Sequence, residues 1–519
     1  MALTETSPET HATDAAVTPS GGTPSIRTQP TAFERVIGSG DHALIGRGFV
    51  FCSLAFLFVS IVVSALADAD VAWDGTIFKA EVTARLAANA QVGLLLLGAV
   101  PLLLGLAISV VPRQVGSPSI AFPRAAAAAF WGWLFSAVIF VVSVAANGSY
   151  GGTDLTSARL GNMATGGLLV SLMLASVCVA VTVMAFRPMG MPISRVPMFS
   201  FASLAASIIW IASLPVALAH IVLSYAGNYT ASTLFDKTFG EGLAWLFRSP
   251  AIFAVFIPVL GIAVDVVATA VGGRQRFSGA LRFLIGLFAV SSFGAWAQGS
   301  VAQDTLLWSA VTISFGLPLL GLLGGLADTL RQGRIKLISP LPGVLLAIVV
   351  ALLGVAVGAI EAINSFGKGN LADFYNPSLD LALFRLVLGA AVLGAVAGLG
   401  YWGAKVFGSQ ILETAAKGLA PLGALGALLW GVPYAIDGLS NRSSVQPLAG
   451  IAIAGSVLLA LTVLTALGLG LGAWNAARRG DELLGDPWGG GGTLEWADDG
   501  ASIGTIESAY PVLDAKGGE

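Results

Sequence analysis

The chain is a succession of long apolar runs separated by short polar segments. About twelve runs reach 18 residues or more, at 46–67, 90–111, 125–146, 161–186, 198–225, 250–272, 281–300, 306–328, 341–363, 379–401, 416–436 and 446–474. A helix rising 1.5 Å per residue needs about 20 such residues to cross a ~30 Å hydrocarbon core. The runs do not alternate apolar with polar, so a transmembrane β-barrel is excluded. The pattern predicts an all-α, polytopic membrane protein of about twelve transmembrane helices. Residues 1–44 begin rich in Thr, Ser, Pro and Ala, with little to bury, and are expected to be a largely disordered tail without a visible signal peptide. Residues 45–475 then form the membrane domain and 476–519 a polar C-terminal tail.

Composition sharpens this reading. The chain is 56% hydrophobic and 11% charged, with a mean hydropathy of +0.84, against roughly half and a quarter in soluble proteins. A soluble enzyme is excluded. The net charge of -3, without a cluster of basic residues, gives no reason to expect nucleic acid as a partner. An even number of spans puts both termini on one side, and Arg113, Arg124, Arg187, Arg195, Arg274, Arg276, Arg282, Arg331, Arg334 and Lys336 fall on that side too. The positive-inside rule therefore makes both termini cytoplasmic. Cys52 and Cys178 lie in different spans and read as small buried hydrophobes rather than a disulfide. The two halves show no similarity, which argues against an inverted-repeat transporter.

Four stretches carry more information. Gly40-Asp41-His42-Ala43-Leu44-Ile45-Gly46 precedes the first span, and Val115-Gly116-Ser117-Pro118-Ser119-Ile120-Ala121-Phe122-Pro123-Arg124 follows the second. Trp245-Leu246-Phe247-Arg248-Ser249-Pro250-Ala251-Ile252-Phe253 opens the sixth. In the tail stand Asp486-Pro487-Trp488-Gly489 and Thr493-Leu494-Glu495-Trp496. In this order they resemble the T-D-H-K-x-I-G entry, the I-G-A-P-D-x-A-F-P-R loop, the W-F-F-G-H-P-E-V-Y segment and the N-P-W-G…T-L-E-W ending of subunit I of the haem-copper respiratory oxidases. The resemblance implies a twelve-helix bundle in a bacterial inner membrane.

The resemblance also implies six histidine ligands for two haems and a copper ion, and here the chain departs from it. Its three histidines are His11, His42 and His220. Matched motif by motif, ligand positions fall at Ala90, Ser249, Gln298, Gly299, Leu383 and Arg385. The family's proton-delivering Glu falls at Ala251 and its Tyr at Phe253. The residues that open its two proton channels fall at Ser119 and Leu322. The expectation is a protein with no haem, no copper, no other metal and no catalytic residues.

Polar groups within the spans are costly and need partners or a wet cavity. His220, Gln298, Glu361, Asp380 and Arg385 form the candidate intramembrane polar site, near the outer leaflet. Asp380 and Arg385 are five residues apart, on different helix faces, which makes Glu361 the expected counter-ion of Arg385. The site either holds a small molecule, a lipid headgroup or water, or is a structural ion pair. Asp265 reads as a proton-relay group or a residue hydrogen-bonded within the bundle. Gly489 to Gly492 read as a flexible linker, and Gly394 with Gly398 as a helix-packing pair. The combined expectation is a non-catalytic, cofactor-free subunit I-like member of a respiratory complex, with partners among subunit II-like or III-like proteins, a respiratory supercomplex and lipids. The alternative is a transporter or lipid/quinone-binding protein that uses the vacated haem pocket.

Overall fold

Helices occupy all twelve expected runs. The computed structural model describes residues 40–150, 154–188, 190–227, 246, 250–273, 275–294, 305–365, 376–440, 446–480 and 485–496. The helices are α1 (His42–Ala72), α2 (Ala80–Gln114), α3 (Pro123–Ala145), α4 (Leu155–Ala185), α5 (Met198–Gly227) and α6 (Ala251–Val271), followed by α7 (Ser278–Gly294) and α8 (Thr305–Ser314, continuing as Gly316–Arg331). The last four are α9 (Pro340–Ser365), α10 (Pro377–Tyr401), α11 (Glu413–Ser440) and α12 (Gln446–Arg478). Among the described residues eleven of them are long and apolar enough to span a membrane, and α7 is shorter. A helix satisfies every backbone group within itself, which is the condition for crossing hydrocarbon.

Polar residues set several of the starts. Asp41 caps α1 by accepting from the Ala43 N–H, Asp154 caps α4 through the Ser157 N–H, and Asn376 caps α10 through those of Ser378 and Leu379. Pro123 and Pro377 occupy first-turn positions, where no N–H is needed. Asp70, near the end of α1, fastens the turn to α2 by accepting from the Ile77 and Phe78 N–H groups and the Thr83 hydroxyl.

Helices adjacent in sequence pack together from α1 to α2, α3 to α5 and α9 to α12, and α12 returns to pack on α1. The apolar windows of α2, α6 and α10 are 100%, 94% and 89% buried, against 33% for α3 and α8. Those three helices are therefore interior, and α3 and α8 face outward. Gly394 and Gly398 of α10 sit against Val259 and Ile262 of α6, so this pair serves packing. Within α2 the Gly93–Ala99 segment is a π-helix, and Trp133 of α3 donates its indole N–H to the Leu96 carbonyl there at 3.0 Å. An indole donor satisfies an acceptor at a point where the regular ladder is interrupted.

Candidate functional site

Arg385 lies eight residues into α10, about 12 Å along the axis at 1.5 Å per residue. Its guanidinium grips Asp68 of α1 with two hydrogen bonds, of 2.7 Å to Oδ1 and 2.9 Å to Oδ2. The side chains are 5% and 3% exposed. Tyr434 of α11 donates its hydroxyl to Asp68 Oδ1 at 2.6 Å, and Arg385 also donates to the Ser64 hydroxyl and the Trp430 carbonyl, each at 3.4 Å. The guanidinium carbon stands 4.4 Å from the Tyr434 ring centre and 5.2 Å from that of Trp430. Three helices thus build a box around one bidentate pair, with both formal charges matched and aromatic faces on the cation.

This corrects the expected counter-ion. Glu361 is buried near the C-terminal end of α9, where it accepts from the Asn376 N–H at 3.4 Å, beside the first turn of α10. The helix N-terminus, rather than Arg385, supplies positive potential there. Asp380 is half-buried in the first turn of α10, and His220 is half-buried on α5; neither contacts Arg385. Gln298, Gly299 and Ser249 lie outside the described residues. Asp68 is the residue that the sequence reading missed, because the first apolar run was ended at residue 67 while α1 continues to Ala72. The spacing of Ser64 and Asp68, one turn apart on a single helix face, was the available signal.

Other matched positions carry apolar groups. Ala90 is 3% exposed, just ahead of the π-helical turn, and Leu383 is 9% exposed. Phe253 of α6 stacks on Phe315 at the break within α8, with ring centres 3.8 Å apart and planes 15° from parallel. Phe288 of α7 meets both rings edge-on at 6.1 and 5.4 Å. Among the described residues no group of three or more His, Cys, Asp or Glu is placed to hold a metal. A cavity bounded by α2, α5 and α6, lined by Leu103, Ser203, Ser207 and Trp210, amounts to about 10 Å³, and one beside Gly343 and Leu419 to about 20 Å³; each is water-sized.

A second polar cluster lies where α2, α6 and α10 end. Gln114 donates its amide to Asp265 at 3.2 Å and to Glu495 of the tail at 2.8 Å, and accepts from the N–H and hydroxyl of Ser200. Asp265 accepts from the Met198 and Phe199 N–H groups, which satisfies the reading of a residue hydrogen-bonded within the bundle. The tail is built onto this end. Trp488 donates to the Tyr401 carbonyl, Trp496 to the Tyr401 hydroxyl, and Trp402 to Glu495. The expected flexible glycine linker is instead a fixed turn. Asp486 accepts from the N–H groups of Gly490 and Gly491, Gly489 has φ +63°, and a side chain on Gly491 would meet the Trp496 ring at 2.4 Å.

An all-helical bundle with interior α2, α6 and α10 defines a polytopic membrane protein, and comparison with known proteins gives its family. Residues 44–449 match the family described as cytochrome C and quinol oxidase polypeptide I, and the chain belongs to that family. It is 26% identical to a Streptomyces coelicolor chain provisionally named cytochrome c oxidase subunit 1-beta, covering 94% of this chain and 91% of that one. It is 25% identical to the cytochrome bo(3) ubiquinol oxidase subunit 1 of Buchnera aphidicola, covering 78% and 73%. Among solved structures, a heme-copper terminal oxidase dimer studied by cryo-EM shares the fold, with a TM-score of 0.63 at 13% identity over 92% of this chain and 87% of that one. The chain is thus an oxidase-like bacterial membrane subunit of a family that works with other membrane subunits.

Proposed function

We propose that this chain is a non-catalytic, cofactor-free member of its family with a structural or assembly role in a bacterial respiratory complex of the inner membrane. The observation that carries this reading is the commitment of Arg385 to Asp68 at a position that the resemblance assigns to haem ligation. A guanidinium keeps its proton and has no lone pair to offer iron. Ala90 and Leu383, at other assigned positions, have no donor atom. The stacked Phe253 and Phe315 rings bring neither ligand nor phenol to α6. With three histidines in the whole chain, the residues do not fit two haems and a copper ion, and no step of oxygen reduction is derived for them.

In this reading both tails, 1–44 and 476–519, are cytoplasmic, and the outer faces of the bundle meet subunit II-like or III-like partners and lipid. The test is purification of the intact complex followed by separation of this chain from its partners. Companion membrane subunits should be found by mass spectrometry, and the isolated chain should be colourless. A haem absorbance band that follows the isolated chain in fixed ratio would overturn the proposal.

A further inference from the structure

Asp265 and Glu495 come from distant parts of the chain and meet at Gln114. One amide nitrogen donates to both, so the two accepting oxygens lie within about 6 Å of each other. Asp265 is 8% exposed and Glu495 4%. Glu495 Oε2 is buried without a hydrogen-bond partner, and among the described residues neither carboxylate makes an ion pair.

The charged and titratable groups of the surrounding elements make their hydrogen bonds elsewhere, although the Arg282 guanidinium acts on Asp265 through space. On α7, Arg282 donates to the carbonyls of Ser194 and Val196. On α2, Arg113 donates to the carbonyls of Ser109 and Lys405, while His42 at the start of α1 faces Arg113. Lys405, just beyond α10, stands 5.7 Å from the centre of the Trp496 ring. The Tyr401 hydroxyl is bonded to Thr269 and Trp496. Two carboxylates this close and out of water, with neither in an ion pair among the described residues, oppose each other's ionisation, which favours a single proton held between them.

We propose that Asp265 and Glu495 form a proton-holding latch for the C-terminal tail, which docks with one proton held by the pair and is released when that proton leaves. Asp265 belongs to the bundle whether or not the tail is docked, whereas Glu495 arrives with Trp488 and Trp496. Docking therefore brings the two carboxyls together and takes up the proton. Burial holds the docked Glu495 carboxyl above the usual carboxylate range. A raised docked value means that the stabilisation is fully present below the undocked value and is lost as pH rises through the docked one. Acid fastens the tail, and alkali frees it and uncovers Asp265, Gln114 and Ser200. This inference is independent of the cofactor-free reading.

Fluorotryptophan NMR of the full chain in lipid nanodiscs tests it, with Trp488 and Trp496 as docking reporters and Trp133, bonded within the bundle, as a control for folding. The ratio of docked to free tail should fall by up to about tenfold per pH unit above the midpoint, as release of one proton requires. Glu495→Gln, which removes the carboxyl that docking buries, should dock with little such dependence, and Asp265→Asn, which leaves Glu495 buried without its carboxylate neighbour, should show a weaker dependence than the native chain. A pH-independent ratio in the native chain, the full native dependence persisting undiminished in either variant, or a failure of both neutral variants to dock while Trp133 stays native would overturn the latch.

Discussion

Arg385→Leu is expected to destabilise the bundle by about 3–5 kcal/mol, the cost commonly found when one partner of a buried pair is removed. The variant leaves the Asp68 carboxylate 3% exposed with only the Tyr434 hydroxyl directed at it. Asp68→Leu should do comparable damage from the other side, because Arg385 cannot discharge itself. The double replacement by Leu should recover most of the loss, since an apolar pair avoids the desolvation of both ions. Arg385→Lys keeps the charge but gives up the two-pronged contact, and should fall between native and Leu. Detergent-titrated unfolding of the purified chain followed by circular dichroism measures each cost, and the yield of assembled complex should follow the same order. If Arg385→Leu unfolds like the native chain but loses a bound lipid or small molecule, the box is a ligand site and the structural reading fails.

What was legible in the sequence follows from what hydropathy reports. Helices fall on all twelve expected runs because membrane insertion depends on summed apolarity over some twenty residues, a quantity that survives without knowledge of contacts. The same averaging lost Asp68, since an acidic residue at the edge of a run reads as the start of a loop, whereas the helix continues because Arg385 and Tyr434 neutralise and bond that residue. Glu361 was a reasonable partner by depth but not by direction. Its carboxylate lies at the start of α10, while Arg385 faces α1 and α11. The π-helical turn in α2 has no mark in composition, and the Trp133 indole that bonds to Leu96 within it comes from another helix. The tail glycines looked like a linker because their partners, the Asp486 carboxylate and the Trp496 ring, act through a turn that only the fold assembles.

Gly455→Ala is expected to be as damaging as a far larger change elsewhere. α11 and α12 cross with backbone against backbone, and a Cβ on Gly455 would stand 2.2 Å from the Trp430 nitrogen and 2.5 Å from the Leu429 carbonyl carbon. On the facing helix, a Cβ on Gly426 would meet the Leu459 nitrogen at 2.8 Å. Main chain has no rotamer with which to yield, so the helices must separate, as in other glycine-mediated membrane contacts. Overpacking typically costs about 1–3 kcal/mol and occasionally more, and this case belongs at the upper end. Trp430 transmits the damage further, because its carbonyl and ring both touch Arg385. Gly468→Ala and Gly472→Ala on the same helix would meet nothing within 4 Å, and should be neutral or stabilising, since Ala exceeds Gly in helix propensity by about 1 kcal/mol. The same unfolding titration should therefore give opposite signs along α12. Combining Gly455→Ala with Arg385→Leu should cost less than the two separate losses together, because they share Trp430. Strict additivity, or equal effects at Gly455 and Gly468, would mean that the α11–α12 crossing does not support the Arg385 box.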